Sequence, residues 1–237
     1  FSFNYFKFKT KKIKINDLLV LAKVFQNSPQ LFVLNTIIKD GFISANVSLN
    51  FDKNGKIKDN YKIEGSIKEA KLNILNQFKL RNLNLNFDIS KNILELKKIE
   101  MKLNRIKITS PLIKIQEKKN SYFIKGQFLN DRKNFDVAEL RSILINLPDN
   151  INIKKIEFSS KNDFSFNINK NFKIDNFKVK SILNLKKLIF SKKNLKLNVY
   201  LPNFVEEIKL TDHKTIINYN KKKFNIKGNG NILLGEK

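Results

Sequence analysis

The chain has 237 residues and carries 47 basic against 21 acidic side chains, a formal net charge of +26. It has no cysteine and one histidine, His213, so disulfides, thiolate nucleophiles, cysteine-based metal sites and two-histidine metal sites are excluded. Only Arg81, Arg105, Arg132 and Arg141 are arginine, the rest of the positive charge being lysine, and the bidentate arginine contacts that read phosphates and bases are scarce.

Lysine, asparagine, isoleucine and phenylalanine dominate and tryptophan is missing, which is the mixture AT-rich codons write. The charge therefore argues less for nucleic acid than for attraction to anionic membrane surfaces or lipid headgroups, which dispersed lysine provides. No run of about 18 apolar residues occurs, so no membrane-spanning helix is expected. The chain begins at Phe1 rather than Met, as a piece of a longer protein would.

In chain order, the opening FSFNYFKFK alternates and predicts a strand. DLLVLAKVF (17–25) and PQLFVLNTII (29–38) predict helices, with Asn16 and Ser28 as N-caps, Pro29 in the second helix's first turn, and a stop at Asp40-Gly41. After residue 41 most segments alternate. Asn54-Gly55, between NVSLNFDK and KIKDNYKIEG, is a hairpin signal. YKIEGSI (61–67) places Tyr61, Ile63, Gly65 and Ile67 on one strand face, and RNLNLNFDIS (81–90) does so with Leu83, Leu85, Phe87 and Ile89. Polar turns are expected at Ser90-Lys91-Asn92, Lys119-Asn120 and Lys192-Lys193-Asn194.

YFIKGQF (122–128) aligns Tyr122, Ile124, Gly126 and Phe128. DVAELRSILINL (136–147) predicts a helix with Asp136 as N-cap, Glu139 completing a capping box, and Pro148 as the stop. DFSFNIN aligns Phe164, Phe166 and Ile168. In FKIDNFKVK the apolar face changes parity between Ile174 and Phe177, which a bulge or turn at Asp175-Asn176 would restore. NLKLNVYL groups Leu195, Leu197 and Val199, PNFVEEI (202–208) reads as a short turn, and FNIKGNG groups Phe224, Ile226 and Gly228.

The fold class that follows is mainly β, a long antiparallel, strongly twisted and curled sheet with a few short helices. The helix at 136 divides the pattern into 1–135 and 136–237. One sheet face is apolar over many strands and must be covered. Three short helices are too few for this. Either the sheet closes on itself as a sandwich or barrel, or it forms a groove holding something else. Gly65, Gly126 and Gly228 interrupt apolar rows; such gaps ease curling and leave room on the concave side.

No catalytic constellation is read. His213 beside Asp212, Glu206-Glu207 and the pair Glu95 and Glu100 are all accounted for by solvated positions, and no nucleophile elbow or phosphate loop occurs. No enzyme activity, cofactor or metal is expected.

The stretch GFISANVSLNFDKNGKIKDNYKIEGSIKEAKLNIL (41–75), with its "FDKNGKI", "YKIEGSI" and "AKLNIL", resembles the AsmA-like family, especially its YhdP and TamB branch. LNLNFDISKNILELKKIEMKLNRIKITSPLIKI and the strand FNIKGNGNIL continue in the same style. The resemblance implies a repeating β-groove: the periplasmic body of a protein anchored in the Gram-negative inner membrane by a segment outside this chain. It also implies carriage of phospholipid toward the outer membrane, with other envelope proteins as possible partners and no specific nucleic acid. The motifs mark structure, so no functional residue is carried over. The lipid-lining residues expected from face parity are the groups named above on 61–67, 83–89, 122–128, 195–199 and 224–228. The alternatives are a structural or adhesive β-sandwich with a closed core and, less favoured, a basic nucleic-acid binder. An outer-membrane barrel is disfavoured by the helices, the missing tryptophan and the lack of an aromatic girdle.

Overall fold

The computed structural model describes residues 4–25, 29–74, 78–104, 106–141, 151–192, 207–220 and 223–234. Among the described residues the fold is mainly β and antiparallel, with three helices. Its strands are β1 (Tyr5–Lys9), β2 (Ile13–Lys14), β3 (Ile38–Asn50), β4 (Lys62–Ile74), β5 (Phe78–Ser90), β6 (Ile93–Leu103), β7 (Ile106–Lys118), β8 (Ser121–Phe135), β9 (Ile151–Asn169), β10 (Ile174–Lys192), β11 (Ile208–Asn220) and β12 (Lys223–Leu234). The helices are α1 (Ile15–Phe25), α2 (Pro29–Ile37) and α3 (Val137–Arg141). From β3 onward each strand pairs with the one before and after it; β1 and β2 both pair with β3. Such a meander needs only short turns.

The chain divides into two compact units, Phe1–Gln127 with Ser165–Asp175, and Phe128–Phe164 with Asn176–Lys237. In the first, α1 lies against β2 and β3, and α2 against β3 and β4. Ile15 and Leu19, one helical turn apart, are the buried contacts of α1. In the second, Phe128 stacks on Phe164 at 4.9 Å and the buried Phe135 on Phe158 at 4.5 Å. Leu140, Ile153 and Leu185 are buried there as well.

The turns follow their sequence signals. Asp52 Oδ1 accepts from the amides of Asn54 and Lys56, and Gly55 takes a φ of 75°. The β3–β4 ladder resumes at Ser48 opposite Lys62. Asn92 turns the β5–β6 hairpin at a φ of 58°. A two-residue turn at Lys119-Asn120 joins β7 to β8. Asp136 caps α3, accepting from the Ala138 amide at 3.0 Å, while Glu139 Oε2 accepts from the Asp136 amide at 3.4 Å: the expected capping box.

Two helix boundaries differ from expectation. α1 begins at Ile15, so Asn16 sits inside it and donates to the Lys39 carbonyl at 3.3 Å instead of capping. Burying Ile15 beside Gly41 draws the helix start back to the end of β2. α2 stops at Ile37, and Lys39-Asp40-Gly41 belongs to β3, because pairing with β4 outcompetes another helical turn. The latter part of the helix expected at 136–147, the turn after Lys192, Leu195, Leu197, Val199 and most of 202–208 lie outside the described residues.

A line of left-handed residues crosses the first unit. Gly41 in β3 (φ 134°), Glu69 in β4 (57°), Asn82 in β5 (52°) and Lys98 in β6 (51°) all adopt positive φ inside strands. Register shifts accompany them between Ile38 and Phe42, Ile67 and Leu72, and Arg81 and Asn86. Each inserts one extra residue, so alternation resumes on the other parity while the apolar side chains stay on the same face. Thus β5 buries Leu80, then Leu83, Leu85 and Phe87, and β6 buries Ile99 and Met101 beyond the shift. Asn176 in β10 also takes a positive φ, 53°, within the Asp175-Asn176 pair where the sequence pattern suggests a bulge or turn.

Candidate functional site

The apolar face of the first unit is assembled from cross-strand rows. Register places Val47, Ile63, Ile89, Leu94 and Ile115 side by side on β3 to β7. The next row is Ala45, Gly65, Phe87, Leu96 and Ile113. Nearer the line of bulges, Ile67 faces Leu85 and Ala70 faces Leu83, and beyond it Leu72, Leu80, Leu103 and Ile106 form a third row. Alternation builds each strand's contribution, and register joins them into bands running across the strands.

The two ends of this face differ. Around the bulges it is closed: Leu85 is 5% and Phe87 7% exposed, and Ala70, Ile99 and Ile106 are buried. Toward the turns that carry Asn92 and Lys119, the face opens. Ile63, Ile89, Leu94, Leu96, Ile113 and Ile115 are half-buried there, while Val47 at the β3 end of its row is buried. Ser110 lies at the closed end opposite Ile99, its Oγ buried without a hydrogen-bond partner.

Of the residues expected from sequence, Ile63, Gly65 and Ile67 on β4 and Leu83, Leu85, Phe87 and Ile89 on β5 share this face, as parity required. Tyr61 precedes β4 and is half-buried. Tyr122, Ile124 and Gly126 on β8 are half-buried in the same unit, and Phe128 belongs to the second unit. Phe224, Ile226 and Gly228 lie on β12, where Phe224 is 62% exposed; they pair with Tyr219, Ile217 and Thr215.

The glycines correct the expectation of open space. A Cβ on Gly65 would come within 2.5 Å of the Phe87 ring and 2.3 Å of the Ser44 carbonyl oxygen. At Gly228 the Thr215 hydroxyl stands 3.1 Å from that position. The protein's own atoms fill both gaps. Val47, Leu94, Leu96, Ile113 and Ile115 join the face without having been expected there. ILELKKIEMKL and ITSPLIKI alternate as the neighbouring strands do, but a one-residue slip obscures the count.

The opposite face is an ion-pair ladder. Glu64, Asp88, Glu95 and Lys114 are direct neighbours on β4 to β7, so three carboxylates stand side by side. Alone they would repel. Lys97 Nζ lies 2.6 Å from Asp88 and 3.0 Å from Glu95, Lys114 is 3.4 Å from Glu95, and Lys62 pairs with Glu64. The hydrogen bond from Lys97 holds the Asp88 carboxyl below its ordinary value. Glu95 is lowered by Lys97 and then Lys114, while Asp88 and then Glu95 raise Lys97. A polar hollow of about 530 Å³ on this side, with Ser44, Asn46, Glu64, Ser66, Asp88 and Lys97 among its lining, presents saturated ion pairs.

His213 stands over Gly230, its ring within 2.3 Å of where a Cβ would be, and its Nδ1 is 3.1 Å from the Thr211 carbonyl. The imidazole thus fills the site of a missing side chain. Glu207 pairs with Lys154, and Glu95 belongs to the ladder. Among the described residues no group of three His, Asp or Glu is placed to hold a metal, and no helix is long and apolar enough to cross a membrane.

Compared with protein-family models, with curated proteins and with solved structures, the chain finds no match.

Proposed function

We propose that this chain is a non-catalytic lipid-binding β-sheet whose half-open apolar rows hold phospholipid acyl chains. The observation that carries the reading is the row Val47, Ile63, Ile89, Leu94 and Ile115, apolar across five strands without a polar interruption. At about 4.8 Å per strand it offers a track of roughly 20 Å, comparable with an extended acyl chain. A phospholipid has on the order of thirty acyl methylenes, and exposing them to water costs roughly 25 kcal/mol. A continuous apolar track removes most of that barrier, and its non-directional contacts select weakly among lipids. The AsmA-like resemblance extends this to phospholipid carriage between the inner and outer membranes, as the periplasmic body of an inner-membrane-anchored protein.

A closed structural core is the second reading, favoured by the burial of Leu85 and Phe87. Ile115→Asp and Ile124→Asp separate the two. Native mass spectrometry of purified protein, with displacement of a fluorescent fatty acid, should find lipid on the wild type and none on the variants, both still folded by circular dichroism. Absence of bound lipid from the wild type, or unfolding of both variants, would favour the closed core.

A further inference from the structure

We infer that the outward face of α1, with the cleft at its foot, docks on an anionic lipid bilayer. α1 is apolar nearly all round. Ile15 and Leu19 are buried on the sheet side, yet Leu18, Val20, Leu21 and Val24 point elsewhere, Val20 being 62% and Val24 77% exposed. A helix apolar on both sides has a second apolar neighbour. α2, packed on α1, also carries exposed apolar side chains, Phe32 and Leu34. Val20, Leu21 and Val24, adjacent on the outward side of α1, form a grouped exposure that marks an interaction surface.

Charge chooses the occupant. Residues 1–40 hold seven lysines, Lys7, Lys9, Lys11, Lys12, Lys14, Lys23 and Lys39, against Asp17 and Asp40. Asp40 is already paired with Lys71 at 2.8 Å. The cleft, about 460 Å³, has an apolar floor of Ile13, Leu18, Leu21 and Phe42, with Lys12, Lys14 and Asp17 around it. Lys12 lies 3.9 Å above the Phe42 ring and 3.9 Å from Glu69, and its side chain remains 57% exposed. Apolar side chains beside a collar of lysines match the boundary of a bilayer, where acyl chains meet anionic headgroups. The surface lies on α1, β2 and the start of β3, away from the row Val47, Ile63, Ile89, Leu94 and Ile115, and does not depend on what occupies that row.

Flotation of the whole chain with phosphatidylcholine vesicles, with and without phosphatidylglycerol, tests this. Binding should require phosphatidylglycerol and weaken with salt. Val20→Asp with Val24→Asp should reduce partitioning more than about a hundredfold while the unfolding midpoint holds, because neither side chain is in the core. Lys12→Gln with Lys14→Gln should cost roughly tenfold or more. The fluorescent fatty acid should still bind the Val20/Val24 variant, whereas Ile115→Asp should lose the fatty acid yet still float. Wild-type protein that stays off anionic vesicles would overturn the inference. So would a Val20/Val24 variant that floats unchanged, or a dimer in light scattering that this variant splits, since the occupant would then be a second copy.

Discussion

The ring of Phe87 occupies the space that a side chain on Gly65 would need. The two residues face each other on β5 and β4, and on the other side the Ser44 carbonyl oxygen lies 2.3 Å from where a Cβ would stand. Glycine here admits an aromatic cross-strand neighbour, a pairing that pins register in a bent sheet. Gly65→Ala should therefore destabilise the fold by about 1–3 kcal/mol, because a backbone oxygen cannot rotate away. Urea unfolding followed by circular dichroism measures it; an unchanged midpoint would mean the ring swings aside freely.

The bulge line predicts an opposite pair of effects at one position. Lys98 holds a φ of 51°, a conformation that costs a side chain roughly 1 kcal/mol and glycine almost nothing. Lys98→Gly should leave stability level or raise it by up to about 1 kcal/mol, and Lys98→Val should lower it by more than that. The order of the two denaturation midpoints is the readout.

Closed and open ends of the apolar face should respond differently to truncation. Leu85→Ala removes a buried side chain with no room to collapse and should cost about 2–5 kcal/mol. Ile63→Ala, in the half-buried row, should cost less and should weaken fatty-acid binding instead. Equal costs with no change in binding would mean that the two ends are one dry core.

Acid should loosen the ion-pair ladder. Asp88 and Glu95 are held below their ordinary values of 3.8 and 4.5 in the folded chain. Their contribution is thus complete above those values and is lost as pH falls through the lower folded-state values. Lys97 is raised, so its contribution persists below 10.5 and fades only in stronger alkali. Lys97→Gln should lower stability only slightly at neutral pH, since the lysine is 40% exposed and screened by solvent, and should flatten the fall in stability below about pH 5. Unfolding midpoints of both proteins from about pH 2 to about pH 7 check it, the fall lying at the acid end of that range.

How legible this molecule is in its sequence differs by feature. The faces of β4 and β5 follow from alternation, and Leu83, Leu85, Phe87 and Ile89 share one side because strand side chains have period two. The parity change before Phe177 marks Asp175-Asn176 as irregular, and Asn176 there takes a positive φ of 53°. The equivalent shifts at Glu69 and Lys98 are hidden, because a lysine or glutamate in the left-handed region carries no turn signature of its own, and Asn82 is one of several asparagines alternating along β5. The places of Leu94 and Leu96 on the apolar face are obscured by the shift at Lys98, whereas Val47, Ile113 and Ile115 are placed by their cross-strand partners.

Sequence by itself determined the element types, most turns, the capping box of α3 and which side of β4 and β5 is apolar, all of them properties set within a few residues by backbone preference and alternation. Tertiary structure decided the rest. It joined the apolar sides into bands through register, set Phe87 against Gly65 and His213 against Gly230, and closed one end of the face while leaving the other half open. It also left one side of α1 outward. These depend on contacts between residues distant in the chain, where burial and steric fit, rather than local propensity, choose the outcome.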